Sequence, residues 1–407
     1  MHEALEKFIS KSKLDSRDVA FARAIVMTVL RRLGEIDAVL GRFLRDPLPV
    51  RSGPAELILR MACAELVFMD IPAHATVSSV VALADSDSRA RHFKGLINAV
   101  ARKVAAEGKL IASELDAARL NMPSWAWQLL SSNYGEAQAR EISNAHMREP
   151  PLDISVAGEA NDWVGKLDAI LLPTGSLRRK LGGRVEELAG YAEGAWWVQD
   201  AASALPARLL GNVRGQKVLD LCAAPGGKTV QLAAAGANVT AVDIDAARLS
   251  RVRDNLNRLR LSAELIAADV REWRPRALAQ AVLLDAPCSA TGTVRRHPEV
   301  LWRKDLSDVL SQAGLQADML DASAAMVAPG GLLVYCVCSL APDEGQEIVN
   351  AFLSRNSTFQ RQPLTGDDMA GQAQFMTSEG DLRTLPSHWP EWGGLDGFYA
   401  ARLRRTP

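Results

Sequence analysis

The stretch Lys217–Thr229, KVLDLCAAPGGKT, decides how the second half of the chain folds. Its apolar start, Val218 to Leu221, predicts a short strand, and the apolar spacing after Lys228 predicts a helix. The turn between them holds two adjacent glycines, which let the backbone approach a ligand closely, and the helix N-terminus offers free N–H groups. A strand, a glycine turn and a helix are the opening of a nucleotide-binding βαβ unit.

Three kinds of ligand suit such a turn, and the residues within it distinguish them. A dinucleotide-binding loop needs G-x-G-x-x-G, whereas only Gly226 and Gly227 are present. A P-loop needs G-x-x-x-x-G-K-[ST]. The end of that pattern is present, but Cys222 stands at its first glycine and Pro225 removes one N–H from the phosphate cradle. S-adenosylmethionine has no phosphate, so the turn of a methyltransferase needs only to pass close beneath its amino acid and ribose.

Two acids after the next strands favour S-adenosylmethionine. Asp243 ends a predicted strand, 237–243, where an acid can hydrogen-bond ribose hydroxyls. Asp269 ends the following predicted strand, 263–269, and can reach an adenine amino group. For one acid alone, a solvated loop carboxylate is an equally good interpretation. Successive strand ends at this regular spacing make coincidence a poor explanation, so the pattern predicts an adenosine-containing ligand.

Cysteines follow two later strands of the same predicted sheet. From about residue 201 onward strands and helices alternate, which predicts a mostly parallel, doubly wound sheet. One apolar strand runs into Asp285 and Cys288, and another runs into Cys336 and Cys338. Because ligands bind at the carboxyl ends of such strands, both loops should face one pocket. A single buried cysteine is usually inert packing, but two such loops beside an adenosine site indicate chemistry.

A thiol would serve the methylation of a pyrimidine carbon. C5 of cytosine is a poor nucleophile, and a thiolate that adds to C6 turns C5 into an enamine-like carbon that can attack the sulfonium methyl. A base then removes the C5 proton and the thiolate leaves. Methylation of an exocyclic amine needs no thiol and usually shows a D/N-P-P-Y loop, which the sequence lacks. Because C6 is reached only in an unstacked base, the target should be looped or flipped.

The motifs CAAPGGKT, DAPCSATG and YCVCSL, in this order, resemble those of the RsmB/Sun (also NOP2/NSUN) family of RNA cytosine-C5 methyltransferases. The resemblance covers most of the chain and is greatest to bacterial members that act on small-subunit (16S) ribosomal RNA. It implies S-adenosylmethionine as cofactor, RNA as partner and a covalent Cys–C6 adduct. The family carries its nucleophile in T-C-S and a helper in P-C-S, which favours Cys338 and Cys288 respectively. Val337 replaces the Thr, and since Cys336 can point to the same side as Cys338, geometry leaves Cys336 open.

The resemblance also implies roles for neighbouring residues. Asp285 is expected to hydrogen-bond the cytosine ring, and Lys228 to orient the base. Position alone, just past the P-C-S motif, makes Arg295 and Arg296 candidates for contacts with RNA phosphates, although a solvated surface is the better interpretation of such a basic cluster by itself. An antiparallel last strand is expected near 397–402. The expected cofactor-binding residues are Cys222, Ala223, Ala224, Pro225, Gly226, Gly227, Lys228, Asp243, Asp269 and Asp285.

The residues before residue 201 predict two further parts. Residues 1–122 predict an all-α domain in which Asp15 or Ser16 caps an early helix. This domain resembles NusB, a small helical RNA-binding fold. Residues 123–200 predict a linker helix and a small α+β segment, which resembles the RNA-positioning subdomain of the family. Residues 201–407 would then form a Rossmann-like α/β methyltransferase domain. Because helical bundles are often only packing modules, RNA binding by the first domain is a hypothesis.

Composition limits the class of function. The 407 residues carry a net charge of −1, 48% hydrophobic and 23% charged residues, which is ordinary for a soluble globular protein. The sequence has no apolar run of membrane-spanning length, and its start, MHEALEKFISK, is no secretory signal. Five cysteines, most of them in motifs, predict reduced thiols in the cytoplasm, and the C-V-C pair lacks the partners of a zinc site. We expect a cytoplasmic monomer without metal. The net charge is unusually low for an RNA-binding protein.

Two alternatives differ in what they bind. A P-loop-like nucleotide hydrolase would bind ATP with magnesium and would have no affinity for S-adenosylmethionine. A non-catalytic RNA-binding assembly factor would keep the cofactor pocket and transfer no methyl group. A methyl-transfer assay on unmodified RNA separates this factor from the enzyme.

Overall fold

The computed structural model describes residues 14–179 and 184–407. The chain divides into two compact units, one of residues 1–148 with 301–303 and the other of residues 149–300 with 304–407. The start of the predicted all-α domain, residues 1–13, lies outside the described residues. No helix among the described residues is long and apolar enough to cross a membrane.

The first unit is helical throughout its described part, as predicted. Its helices are α1 (Ser16–Arg31), α2 (Leu33–Gly41), α3 (Ala55–Cys63), α4 (Ala73–Ser86), α5 (Lys94–Ser113), α6 (Ala117–Leu120), α7 (Ser124–Tyr134) and α8 (Glu136–His146). Asp15 is the N-cap of α1, and its carboxylate accepts a hydrogen bond from Asp18 N at 2.8 Å. Apolar residues at helical spacing pack into one core, for example Ile36, Leu59 and Ile97.

The second unit begins with a small antiparallel sheet in the order β2-β3-β1-β4. Its strands are β1 (Leu152–Val156), β2 (Ile170–Leu171), β3 (Leu177–Arg179) and β4 (Trp196–Val198), with the short helix α9 (Asn161–Val164) after β1. Trp196 and Trp197 are buried, so this pair is core rather than a base-stacking surface. Arg178 is also buried, because its guanidinium pairs with both oxygens of Asp153 at 2.6 Å. The α+β fold class predicted for the middle segment is confirmed, whereas its bounds, 123–200, stay a prediction.

The remainder of this unit is a doubly wound α/β sheet. Its strands are β5 (Lys217–Leu221), β6 (Asn238–Asp243), β7 (Glu264–Ala267), β8 (Ala279–Asp285), β9 (Val327–Val337), β10 (Phe359–Arg361), β11 (Leu382–Thr384) and β12 (Phe398–Arg405). Its helices are α10 (Leu205–Arg208), α11 (Gly227–Ala234), α12 (Ala246–Leu259), α14 (Leu306–Ala324) and α15 (Gln346–Arg355), and the short helix α13 (Glu299–Arg303) has residues in both units. The strand order is β10-β12-β9-β8-β5-β6-β7, with β11 beside β12.

Strand direction agrees with the expectation for this half. Strands β5 to β9 pair in parallel, and β12 pairs antiparallel to β9. Both faces of the sheet are buried, because Val218 of β5 packs into one core cluster and Leu219 into the other. The strand order reverses between β8 and β6 around β5, so the carboxyl ends of β5, β6 and β8 border the switch point where ligands bind.

Candidate active site

The turn after β5 lies against the end of β6. Ala223 N donates to Val242 O at 3.0 Å, and Ala224 N donates to Asp243 Oδ2 at 3.0 Å. Gly226 has a φ of +102°, and a Cβ there would lie 2.9 Å from Val252 Cγ1, so this position requires glycine. The first N–H groups of α11, which begins at Gly227, have no partner within the helix and can face a ligand. The turn and this helix end therefore suit S-adenosylmethionine.

The two strand-end acids differ in what they contact. Asp243 is buried, and its Oδ1 accepts from Asp245 N at 3.0 Å. Asp269 does not end β7 as predicted, because that strand ends at Ala267. It follows the strand instead, where hydrogen bonds from Arg271 lower the pKa of its carboxyl. Ala268 N donates to Asp243 O at 3.0 Å, so the Asp269 segment still lies beside the end of β6.

A charged pair lies at the carboxyl ends of the central strands. Lys228 Nζ donates to Asp285 Oδ2 at 2.8 Å, and the Lys228 side chain is only 9% exposed. Burial alone would lower the pKa of this ammonium, but the neighbouring Asp285 carboxylate raises it above its usual range. The Cys336 thiol donates a hydrogen bond to Asp285 Oδ1 at 3.4 Å. The structure thus brings the predicted Lys228 and Asp285 together, with Cys336 on the other carboxylate oxygen.

The two predicted catalytic thiols contact each other. Cys288 Sγ and Cys338 Sγ lie 3.3 Å apart, and both side chains are partly buried. The hydrogen bond that Cys288 shares with Cys338, followed by burial, raises the pKa of Cys288 well above its usual value. Burial is the main reason that the pKa of Cys336, which is fully buried in β9, is also raised. Cys338 therefore shares its site with Cys288, whereas Cys336 faces the Asp285 carboxylate.

The loops that carry these thiols meet at a backbone contact. Gly292 N donates to Cys338 O at 3.0 Å, and Gly397 N donates to Gly292 O at 2.8 Å. A Cβ on Gly292 would lie 2.0 Å from Gly397 O, so only glycine fits at position 292. The loop after β8, the end of β9 and the start of β12 are consequently held in one arrangement.

The expected RNA contacts of two arginines are wrong. Arg295 is fully buried, where its guanidinium contacts Asp396 Oδ1 at 3.3 Å and Gly393 O at 2.6 Å. Arg296 donates to Asp396 Oδ2 at 3.0 Å and to Asp200 Oδ2 at 2.7 Å. Both guanidiniums are used to join segments within the second unit, because buried carboxylates lie opposite them.

Sequence reasoning missed two buried acids. Asp220 lies within β5 and accepts a hydrogen bond from Thr229 Oγ1 at 2.5 Å. Glu344, in a short turn after β9, is fully buried and contacts both cysteine-bearing loops. An acid flanked by apolar strand residues was a usable signal for Asp220. Glu344 follows Asp343 and resembles a solvated loop acid. Among the described residues, no cluster of His, Cys, Asp and Glu could hold a metal ion.

Asp220 should make stability depend on pH. Burial raises its pKa to about 7, so the folded protein holds this proton more tightly than the unfolded chain. The stabilisation is present below about pH 4 and is lost as the pH rises to about 7, by up to about 4 kcal/mol. Asp220→Asn removes this dependence. Denaturant unfolding at several pH values should show the wild type losing stability relative to the variant across this window, and a constant difference would contradict the assignment.

The doubly wound sheet, the glycine turn and the strand-end acids define an S-adenosylmethionine-dependent methyltransferase. Residues 207–404 match the model of the 16S rRNA methyltransferase RsmB/F family, and residues 1–106 match that of the NusB family. Ribosomal RNA small subunit methyltransferase B of Pseudomonas syringae pv. tomato is 36% identical over 417 residues, covering 96% of this chain and 90% of that protein. The chain belongs to the RsmB/F family of 16S rRNA methyltransferases.

Solved structures agree with the fold. The crystal structure of PH0851 is similar over 99% of this chain and 93% of the PH0851 chain, with a TM-score of 0.78 and 23% sequence identity. The crystal structure of NSun6 from Pyrococcus horikoshii with SFG is similar over 70% of this chain and 98% of the NSun6 chain, with a TM-score of 0.60 and 19% sequence identity. At such identities these structures support the fold alone. The predicted family, fold class, methyltransferase activity and cofactor are confirmed.

Proposed function

We propose that this chain forms 5-methylcytosine in 16S rRNA through a covalent adduct between Cys338 and C6 of the target base. The observation that supports this most is the 3.3 Å contact between Cys338 and Cys288, at strand ends beside the cofactor turn. An enzyme that methylates an exocyclic amine has no use for paired thiols. A P-loop hydrolase is disfavoured by family membership, and a non-catalytic factor has no need of this contact.

The proton held between the two sulfurs suits the two halves of the reaction. In the first half the Cys288 thiol donates a hydrogen bond to the Cys338 thiolate and keeps its proton. The electron pair of this thiolate forms the bond to C6. C5 then takes the methyl group that S-adenosylmethionine supplies. With Cys338 alkylated, the hydrogen bond that raises the pKa of Cys288 is gone. Cys288 can then release its own proton to solvent and, as a thiolate, take the C5 proton, and the C6–S bond breaks to restore Cys338 as a thiolate.

Asp285 and Lys228 would bind the cytosine ring. Addition at C6 moves electron density towards N3, so a proton held there stabilises the adduct. Asp285 ends β8, three residues before Cys288, and Lys228 contacts it from α11. For the cofactor we propose contacts from 222–228, with Asp243 on the ribose, Asp269 at the adenine and a further contact from Asp285. No metal takes part in this proposal.

The remaining parts of the proposal concern the RNA and the cell. Residues 1–122, which include the match to the NusB family, would bind RNA, 123–200 would position it, and 201–407 would carry the chemistry. We propose a monomer that acts in the cytoplasm, where rRNA is made in bacteria. Ultraviolet cross-linking of the full chain to 16S rRNA, followed by peptide mapping, should find cross-links in the first two segments.

Bisulfite mapping tests the product directly. 16S rRNA from a strain without this gene should lack one protected cytosine, and the wild-type gene should restore it. A gene encoding Cys338→Ala should not. Loss of a different methylated base, with all 5-methylcytosines retained, would overturn the proposed product.

Asp243→Ala should weaken S-adenosylmethionine binding by about 1–3 kcal/mol, as expected for a lost hydrogen bond to a charged group. The change also releases Ala224 N, so the turn itself should loosen. Calorimetry on the purified protein measures the affinity. Asp245→Ala is the matched control, because Asp245 caps α12 through Ala247 N and Arg248 N. Equal affinities for the two variants would contradict the role of Asp243.

A further inference from the structure

Glu344 lies at the centre of a buried hydrogen-bond cluster in the second unit. It ends the short helical turn Pro342–Glu344 after β9 and is fully buried. One carboxylate oxygen, Oε1, accepts from Ser289 N at 2.7 Å and from Gln316 Nε2 at 3.1 Å. The other oxygen, Oε2, accepts from the hydroxyls of Ser289 and Ser339. A carboxylate only accepts, so it matches this set of donors.

The donors come from the two loops that carry the thiols. Ser289 directly follows Cys288, and Ser339 directly follows Cys338. A single carboxylate therefore joins the residue after each sulfur. Hydrogen bonds to a carboxylate are shorter and about twice as strong as those between neutral groups, so this link adds to the backbone contact between the two loops.

Further contacts fix Glu344 itself. Tyr335 OH, within β9, donates to Glu344 O at 2.6 Å. Gln316 Nε2, on α14, also donates to Pro287 O at 2.8 Å, immediately before Cys288. Glu344 is thus held by contacts from a strand and a helix as well as from the loops. A rigid frame of this kind is what holds reacting groups within a fraction of an ångström.

We propose that Glu344 is a positioning residue that sets the 3.3 Å spacing of Cys288 and Cys338. This rests on the proposed function, in which both sulfurs act on one base. Removal of the carboxylate leaves buried donors of both loops without an acceptor. The two loops then lose the link between the residues that directly follow the sulfurs, while the backbone hydrogen bond from Gly292 N to Cys338 O and the sheet beneath them remain.

Glu344→Ala should lower kcat for methyl transfer by about 10²-fold, the effect of a displacement of about 1 Å, and leave the KM for S-adenosylmethionine nearly unchanged. Glu344→Gln should recover part of the rate. Its amide keeps the shape and one acceptor, and its NH2 can donate to hydroxyls that turn to accept. A role in folding alone would lower kcat only in proportion to the fraction unfolded.

A second measurement reports the spacing without any RNA. Diamide oxidises two adjacent thiols to a disulfide, taking up both protons and both electrons, and peptide mass mapping identifies the Cys288–Cys338 product. We expect this disulfide to form about tenfold more slowly in Glu344→Ala than in the wild type, because effective concentration falls with misplacement. Asp381→Ala is the matched control. Asp381 is buried in the same unit and accepts from Tyr399 OH at 2.5 Å.

The outcomes are separable. Slower disulfide formation in Glu344→Ala but not in Asp381→Ala supports the proposal, even if bisulfite mapping rejects the proposed product. Unchanged disulfide formation in Glu344→Ala overturns it, whatever happens to activity. Should Glu344→Ala fail to fold, Glu344→Gln takes its place in both measurements, and wild-type kcat together with a wild-type rate of disulfide formation in that variant would overturn the proposal.

Discussion

Cys288→Ala should trap the enzyme on its RNA as a covalent adduct. Cys338 can still add to C6 and the methyl group can still be transferred, but the base that removes the C5 proton is gone. The C6–S bond then persists, and the complex should appear as a slower band on a denaturing gel. Cys338→Ala should abolish methylation and the adduct, because no bond to C6 forms. The double variant should show no band either.

Cys336→Ala serves as the control for these thiols. Cys336 faces Asp285 and is packed in β9, so its loss should cost about 1–2 kcal/mol of stability from the cavity and leave methylation in place. An adduct in Cys338→Ala and none in Cys288→Ala would mean that the two roles are reversed. Complete inactivity of Cys336→Ala alone would mean that the wrong cysteine of the β9 end has been assigned.

Asp285→Asn should lower kcat by about 10²–10⁴-fold, the usual contribution of a positioned proton donor or acceptor. An amide can hydrogen-bond N3 of the cytosine but cannot transfer a proton to it. The substitution also removes the negative charge that faces the Lys228 ammonium at 2.8 Å. Single-turnover transfer of a labelled methyl group measures the chemical step separately from product release.

The double variant Lys228→Met with Asp285→Asn controls for the Lys228 ammonium, which Asp285→Asn leaves without its counterion. Breaking a buried ion pair by removing one partner costs about 3–5 kcal/mol, whereas removing both is far milder. The double variant should therefore regain thermal stability and remain at least as slow as the single one, because Lys228 is also proposed to bind the base. Recovery of kcat in the double variant would show that the single substitution acts through stability, and the catalytic role of Asp285 would be withdrawn.

The parts of this protein that sequence predicts well are those governed by local pattern. Strands β5 and β6 end where predicted, at Leu221 and Asp243, because runs of buried β-branched and apolar residues end there at a turn or an acid. The cysteine loops were also placed at strand ends correctly, since parallel strands share one carboxyl edge. The choice between Cys336 and Cys338 was open, because both belong to the same side of an extended chain. Which sulfur contacts Cys288 depends on the bend of the chain after Val337.

The errors came from residues whose partners are distant in sequence. Arg295 and Arg296 have the composition of an RNA-binding cluster, but Asp396, about a hundred residues later, lies opposite both. Glu344 has the neighbours of a surface acid, but Ser289 comes from another loop. The error at Asp269 has a local cause, because β7 ends at Ala267, two residues before the predicted end of the strand. Charge alone does not say whether a side chain meets solvent or a buried counterion.

The close approach of Gly292 to Gly397 limits how this protein can be recombined with others. With the carbonyl of Gly397 only 2.0 Å from where a Cβ would lie, each segment is shaped to the bare backbone of the other. A chimaera that imports the loop after β8 from another methyltransferase must import the approach to β12 as well. Crossover points for engineering an altered target should therefore not separate these two segments.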